Sequence, residues 1–394
     1  MPAAGLPLGG KRLTLSRALL GGSATAALLP ELVRRHGGDA ATCLHLGALF
    51  ALGTLASELP AAIFGDRDGE ARSWLRRAGF VQALALLGLA MAPDMFCIGV
   101  AVIVAGIGAG LATGAEARAA LAIGGDAQAV ARLEVAALLG KGTACFAIAL
   151  LATALGIGAR GAVGASAVLC VAAAYVASSI EGGDRVHAVA RGRRNTDRGD
   201  RRSWRSVGVI ALVVSVASLS LVARGTDPLD AFNVAARGGG LLACAALLTG
   251  KGVIARVLAP SIARGRLSGV AIAAGIAALP LLAAPRLPTI VMIIVVAIAC
   301  GVAGGAAAAA RGVLLVRLGA ARVGTGAAVE ATVRRVAVAM AALVLAPAVR
   351  GHGMIGPYAV AGTVAVIGAI AVLLPHGVIT LRRARATFSV ARVE

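Results

Sequence analysis

Residues 181–205 read EGGDRVHAVARGRRNTDRGDRRSWR and contain eight arginines in an otherwise apolar chain. A long hydrophobic half lies on each side of this stretch, over residues 13–180 and 206–380. Neither half has the polar sequence that a water-soluble domain needs at its surface. The stretch therefore predicts a basic linker between two apolar halves, which divides the chain into residues 1–180, 181–205 and 206–394.

The composition indicates a membrane protein. Hydrophobic residues make up 59% of the 394 residues, whereas soluble domains have about 45–50%. They occur in blocks of about 18–24 residues, the length of a helix that crosses a ~30 Å hydrocarbon core. We therefore predict an all-α membrane protein with twelve transmembrane helices, over residues 13–33, 40–63, 78–93, 95–115, 133–155, 161–180, 206–223, 232–255, 267–284, 288–310, 326–348 and 356–380.

The net charge of +20 follows the predicted topology. If the amino terminus is cytoplasmic, 27 of the 38 Lys and Arg residues lie in cytoplasmic termini and loops, and 6 lie in the opposite loops. Positive residues collect on the cytoplasmic side of membrane proteins, so we expect both termini and the linker to be cytoplasmic in an inner-membrane protein. Aromatic residues are only 3% of the chain, too few to favour nucleic acid over the lipid bilayer as partner.

The segment after the second predicted helix carries a motif. Residues 62–70 read AIFGDRDGE. This segment resembles the loop 2–3 signature of the major facilitator superfamily, which is Gly, three residues, Asp-Arg, one residue, Gly and then two basic residues. Asp66, Arg67 and Gly69 occupy the matching positions. The segment departs from the signature at the first Gly and at both basic residues, where it has Ala62, Glu70 and Ala71.

The resemblance implies two pseudo-symmetric six-helix lobes and transport by alternating access, with a gate that closes the cytoplasmic side. An Asp at a helix end can cap the N-terminus of an opposing helix and pair with a nearby Arg. Arg264-Gly265-Arg266, between the eighth and ninth predicted helices, keeps the Gly-basic ending of the signature and supports a duplicated architecture. We predict that the gate consists of Asp66, Arg67, Gly69, Glu116 and Arg118.

Charged residues within predicted membrane helices form a second candidate site. Glu134 and Lys141 are seven residues apart and share one helix face. In the superfamily fold, the second and fifth helices of each half line the lobe interface, and these helices carry the charges. They line a cavity that binds an anionic solute, form salt bridges between the lobes or extend towards the inner face of the membrane. The cavity or proton-coupling candidates are His45, Glu134, Lys141, Arg237, Glu330, Arg334 and Arg335.

Other patterns exclude enzymatic and cofactor-dependent functions. The Gly106-x-Gly108-x-Gly110 run has no preceding strand, so it predicts close helix packing and not a dinucleotide site. Gly140-Lys141-Gly142-Thr143 lacks the first Gly of a phosphate loop. No catalytic constellation or metal-ligand spacing is present, and the six cysteines lie in apolar blocks. We therefore expect a protein that is not an enzyme and has no cofactor or metal.

These patterns favour a secondary active transporter that moves a small organic solute across the cytoplasmic membrane. Export is our first expectation, and import of an organic anion is the alternative. The chain lacks an ATP site, so protons are a candidate coupling ion. It also lacks two features usual in drug–proton antiporters of the superfamily: Val102 replaces an Arg, and the fifth helix has no Gly-Pro. A monomer is expected, and a membrane sensor or scaffold without transport is the alternative of another class.

Overall fold

The computed structural model describes most of the first half of the chain and isolated groups in the second. The linker 181–205 lies outside the described residues, and so do Gly69, Arg237, Glu330 and Arg334. The described residues are 8–21, 25–68, 70–124, 127–180, 246, 248–250, 252–254, 256–257, 291, 294, 298, 323–329, 331–332 and 335–336.

All regular secondary structure in this described part is helical. The helices are α1 (Leu8–Gly21), α2 (Thr25–Arg35), α3 (Ala40–Asp68), α4 (Ala71–Met91), α5 (Met95–Gly124), α6 (Ala127–Leu155) and α7 (Ala159–Ser178). The first predicted span corresponds to α1 and α2, and each of the next five corresponds to one helix. By length and composition, α3, α5, α6 and α7 contain segments that can cross a membrane, as expected of a multi-pass membrane protein.

The predicted bounds of two loops are wrong, because the helices extend beyond the apolar blocks. The first loop was expected at 64–77, but α3 continues to Asp68 and α4 begins at Ala71. The second was expected at 116–132, but α5 continues to Gly124. Hydropathy marks only the part of a helix that lies in hydrocarbon, whereas Ala, Arg and Glu continue the helix into polar surroundings. Four residues of the predicted gate therefore lie on helices: Asp66, Arg67, Glu116 and Arg118.

Aspartate caps fix where two of the long helices begin. Asp39 precedes α3, and its Oδ1 accepts a hydrogen bond of 2.8 Å from the backbone N–H of Thr42. Asp94 precedes α5 and accepts a bond of 2.8 Å from the backbone N–H of Cys97. This hydrogen bond from Cys97 lowers the pKa of Asp94 below its usual value. Both caps satisfy N–H groups that have no partner within the helix.

The α5 helix is central in the packing of the first half. It packs most extensively against α3 and α4, while α4 also packs on α7, and α1 packs on α6 and α7. Glycines allow the close crossing of α3 and α5: Gly106 lies against the backbone of Phe50, and Gly110 lies against Ser57. Ser57 Oγ donates a hydrogen bond of 2.9 Å across the crossing to the carbonyl of Ile107. The predicted close packing by these glycines is confirmed.

Substitution of Gly106 tests this packing. A Cβ at Gly106 would meet the carbonyl of Phe50, whereas one at Gly164 on α7 would meet nothing within 4 Å. We expect Gly106→Ala to lower the free energy of unfolding by about 1–3 kcal/mol, as overpacking does. Gly164→Ala should be neutral or stabilising by up to about 1 kcal/mol, because Ala favours the helix. Melting temperatures in detergent measure both, and equal melting temperatures would contradict the prediction.

Candidate functional site

Asp66 joins the two halves of the chain. It lies in the last turn of α3, and its Oδ1 accepts a hydrogen bond of 3.1 Å from Nη1 of Arg118 on α5. Its Oδ2 accepts bonds from Thr325 in the second half, at 2.8 Å from the backbone N–H and at 2.7 Å from Oγ1. We call these three residues the Asp66 cluster. It connects segments that are 259 residues apart in sequence.

The contact with Thr325 identifies what Asp66 recognises in the second half. Residues 323–329 are helical, and we refer to them with helical residues 331–332 and 335–336 as the 323–336 segment. A backbone N–H within a helix is available to an outside acceptor only in the first turn. Asp66 therefore caps the first turn of the opposing helix, where the helix dipole also favours a negative charge.

The Asp66 cluster is largely shielded from water. The side chains of Arg118 and Asp66 are 4% and 12% exposed, so their attraction is screened less than it is between surface charges. Gly65 makes room for the Arg118 guanidinium, because a Cβ at this position would collide with it. Sequence reasoning did not assign Gly65 a role, although it lies directly before the Asp-Arg pair of the motif.

Small residues bring the helices together beside the Asp66 cluster. A Cβ at Gly114 on α5 would lie 3.0 Å from the Cβ of Ala62 and 3.3 Å from the carbonyl oxygen of Gly324. A Cβ at Gly324 would collide with the carboxylate of Asp66. Ala62 occupies the position where the superfamily signature has Gly, and it fits because Gly114 opposes it. A larger side chain at Gly114 would meet α3 at Ala62 and the second half at Gly324.

A second polar cluster also joins the halves. Glu58 on α3 forms an ion pair with Arg335, with 3.3 Å between Oε2 and Nε. Thr332 Oγ1 donates a hydrogen bond of 3.5 Å to the same Oε2, and Arg335 Nη2 donates one of 3.2 Å to Oγ1 of Thr113 on α5. We call these four residues the Glu58 cluster. It links α3, α5 and the 323–336 segment.

Glu116 lies apart from the Asp66 cluster. Its Oε1 pairs with Nη1 of Arg17 on α1 at 2.7 Å. Two residues of helix rotate the chain by about 200°, so Glu116 and Arg118 point to different sides of α5. Sequence reasoning missed Arg17, although an Arg in an apolar span signals a need for an acidic partner.

Of the other predicted residues, His45 and Arg67 are exposed on α3, and Glu134 and Lys141 are partly buried on α6. The α6 helix also approaches the second half, near helical residues 248–250 and 252–254. A Cβ at Gly142 would collide with Thr249, and one at Gly252 would lie 2.8 Å from Leu139 Cδ2. Lys141 therefore precedes a glycine at a close crossing of the two halves.

The whole chain is similar to solved structures of transporters. A point mutant of the nucleoside transporter NupG shares 12% identity at a TM-score of 0.68, covering 93% of this chain and 98% of that one. A POT family transporter with a bound thioalcohol-conjugated peptide shares 13% identity at 0.71, covering 95% and 97%. The human organic anion transporter MFSD10 shares 17% identity at 0.66, covering 93% and 100%.

These three proteins are of the major facilitator type, and none is an enzyme. The likeness shows that this chain has their fold, which agrees with the resemblance of the motif at residues 62–70. No family model matches the chain. No curated protein matches it either.

Proposed function

We propose that the chain is a secondary active transporter of two six-helix lobes, residues 1–180 and 206–394, joined by the cytoplasmic linker 181–205. It moves a small organic solute across the cytoplasmic membrane by alternating access. The fold that it shares with nucleoside, POT family and organic anion transporters supports this class of function. The apolar helices support a multi-pass membrane location.

The observation that carries the proposal is the contact of Asp66 with Thr325 and Arg118. A charged acceptor that caps a helix from the other half holds the halves together through polar contacts. Such a contact can form and break within a transport cycle, because water can solvate both partners when they separate. The Asp66 cluster is then the closed cytoplasmic gate, and Arg67, Gly69 and Glu116 are further proposed gate residues.

Export remains the first choice for the direction of transport. The second candidate, uptake of an organic anion, is favoured by Arg335, whose side chain is 18% exposed beside the interface of the halves. Arg237, Arg334 and Lys141 are further candidates for binding an anionic solute. His45, Glu134 and Glu330 are further candidates for proton coupling. The protein acts as a monomer in the lipid bilayer, and protons are the proposed coupling ion.

A ligand screen followed by flux measurements tests the function. The purified protein is screened for ligands by thermal shift against a panel of nucleosides, peptides and organic anions, and each hit is then followed as flux into proteoliposomes. We expect a hit that stabilises the protein and crosses the membrane faster than into protein-free liposomes. Binding without flux would instead support a sensor or scaffold.

The orientation of the protein has its own test at Ser203 in the linker. We expect Ser203→Cys to react with a membrane-impermeant thiol reagent in inverted vesicles and not in intact cells, because the eight linker arginines favour the cytoplasmic side. A parent chain without its native cysteines is the control for background labelling. Labelling in intact cells would overturn the orientation.

Lys141 distinguishes a binding cavity from a salt bridge between helices. Lys141 lies fourteen residues after the start of α6, or about 21 Å along the helix. If it contacts an anionic solute, Lys141→Leu should weaken binding of the solute about tenfold or more, because a charge-assisted hydrogen bond contributes about 1.5–3 kcal/mol. Lys141→Arg should retain most of the affinity. A large fall in melting temperature with unchanged affinity would instead indicate a structural salt bridge.

A further inference from the structure

Glu58 is a buried carboxylate at the contact between the halves. Its side chain is 0% exposed, and its partner Arg335 is 18% exposed. Glu58 precedes Asp66 by eight residues on α3, or about 12 Å along the helix. The Glu58 cluster is therefore a second layer of contact between the halves, deeper in the protein than the Asp66 cluster.

Arg335 provides the positive charge that faces Glu58. Thr113 and Thr332 add hydroxyl groups and no charge. Among the described side chains, the other charged groups on α3 and α5 are engaged elsewhere or exposed. Asp66 pairs with Arg118, and Glu116 pairs with Arg17. His45 and Arg67 are exposed. Among the described residues, the ion pair of Glu58 with Arg335 thus depends on the second half of the chain.

Separation of the halves changes the surroundings of Glu58 in a particular way. The packing of α3 on α5 lies within the first half, and the backbone nitrogen of Glu58 is 3.1 Å from the place of a Cβ on Gly110. Glu58 would stay on this interface while Arg335 moves away. A carboxylate in the membrane interior that loses its cationic partner binds a proton more readily.

We propose that Glu58 is a proton-binding site whose protonation releases the first half from Arg335 and so favours opening of the cytoplasmic side. One proton from water adds to a Glu58 oxygen, which becomes a neutral carboxylic acid, and the Arg335 guanidinium keeps its charge. When the halves close again, the proton returns to water as the ion pair re-forms. The inference rests on the proposed function, because it needs halves that separate on the cytoplasmic side.

The mechanism makes opening depend on pH with a definite sign. The open form holds one more proton than the closed form, so falling pH favours opening and rising pH favours closure. Opening at high pH requires the charged pair to separate without a proton, which is costly for buried ions. The pH of the solution that reaches Glu58 thus shifts the balance between the open and the closed form.

A single reporter cysteine can measure opening without knowledge of the solute. Ala327 in the 323–336 segment is 0% exposed and belongs to the apolar cluster formed chiefly by first-half residues. In a full-length chain without native cysteines, reconstituted in nanodiscs, Ala327→Cys should react with a polar thiol reagent only when the halves separate. The reaction rate is measured from about pH 5 to about pH 8, a range that spans carboxylate and thiol titration.

At each pH, the labelling rate of Glu58→Gln is divided by that of the parent. The pH dependence of the thiol reaction itself is the same for both proteins and cancels in this ratio. Glu58→Gln resembles the protonated acid. We expect a ratio of about ten at high pH that falls towards about one at low pH, as the parent takes up its proton. If Glu58→Gln does not fold, the double variant Glu58→Gln/Arg335→Gln replaces it. The ratio of its labelling rate to that of the parent should likewise fall towards about one at low pH.

Two results would overturn the proposal. A ratio near one at every pH means that the Glu58 cluster does not hold the halves together, and a raised ratio that never converges means that no proton operates it. Asp66→Asn separates this failure from that of the proposed function. If Asp66→Asn raises the labelling of Ala327→Cys while Glu58→Gln does not, only the proton site is wrong. If neither variant raises it, the proposed gate is wrong as well.

Discussion

Asp66→Asn is expected to lower the rate of transport by about tenfold while the protein still expresses and folds. Asn keeps an oxygen that can accept hydrogen bonds from Thr325, but it removes the negative charge from Arg118 and from the first turn of the opposing helix. A charge at a helix N-terminus contributes up to about 2 kcal/mol in partly buried sites. A change of about 1–2 kcal/mol alters an equilibrium by a factor of about 5–30.

Asp66→Asn should destabilise the closed state relative to the open state and leave the stability of the fold unchanged. When the cytoplasmic side opens, water can solvate Arg118, so the variant opens more easily instead of unfolding. Flux into proteoliposomes and melting temperature, measured on the same preparation, separate the two effects. Asp39→Asn is the matched control, because Asp39 lies at the other end of α3 and caps an exposed helix start, where Asn serves as well as Asp. Normal transport by Asp66→Asn would mean that the motif at residues 62–70 has no gating role.

The helices of the first half could be predicted from the sequence, but their ends could not. Long apolar blocks predict transmembrane helices because few other structures satisfy the backbone in lipid. The ends depend on polar residues outside the hydrocarbon, where hydropathy carries no signal. This is why α5 extends nine residues beyond the expected end at 115, to Gly124, and why Arg118 lies on a helix.

Some contacts of the candidate site could likewise be predicted from the sequence, and others could not. The idea that Asp66 caps an opposing helix and pairs with an Arg came from the motif, and the structure contains both contacts. Its role as a gate stays a prediction. The pairing of Glu58 with Arg335 could not be predicted, because their separation of 277 residues leaves no local pattern. The sequence alone does not single out Glu58 among the acidic residues of the chain, and its burial and packing distinguish it.

The two clusters differ in the consequence of separating their charges. The side chain of Asp66 is 12% exposed, and Asp66 lies two residues from the end of α3, so water would reach it early if the halves separated. The side chain of Glu58 is 0% exposed and lies about two turns deeper. A surface-near pair can therefore separate with both charges intact, whereas the deeper pair favours a proton as it separates.

Gly114→Leu is expected to have the largest effect on closure, with transport reduced by more than about tenfold. A Cβ at this position already lies 3.0 Å from the Cβ of Ala62 and 3.3 Å from the Gly324 oxygen, and the remaining Leu atoms have no space. Overpacking of this kind costs about 1–3 kcal/mol or more, and separation of the halves removes the part that arises against Gly324. The cytoplasmic side should therefore stay open, and the labelling of Ala327→Cys should rise while transport falls.

Gly114→Ala and a compensating change test whether this contact is the cause. Gly114→Ala should give a smaller defect than Gly114→Leu, because one Cβ requires a shift of only a few tenths of an ångström. The double variant Ala62→Gly/Gly114→Ala has the Cβ on α5 instead of on α3, so the two helices can again pack closely. It should restore much of the transport rate. Gly164→Leu controls for the added volume, since a Cβ there meets no neighbour within 4 Å. If the double variant transports no better than Gly114→Ala, Ala62 is not the opposing surface, and the defect arises elsewhere on α5.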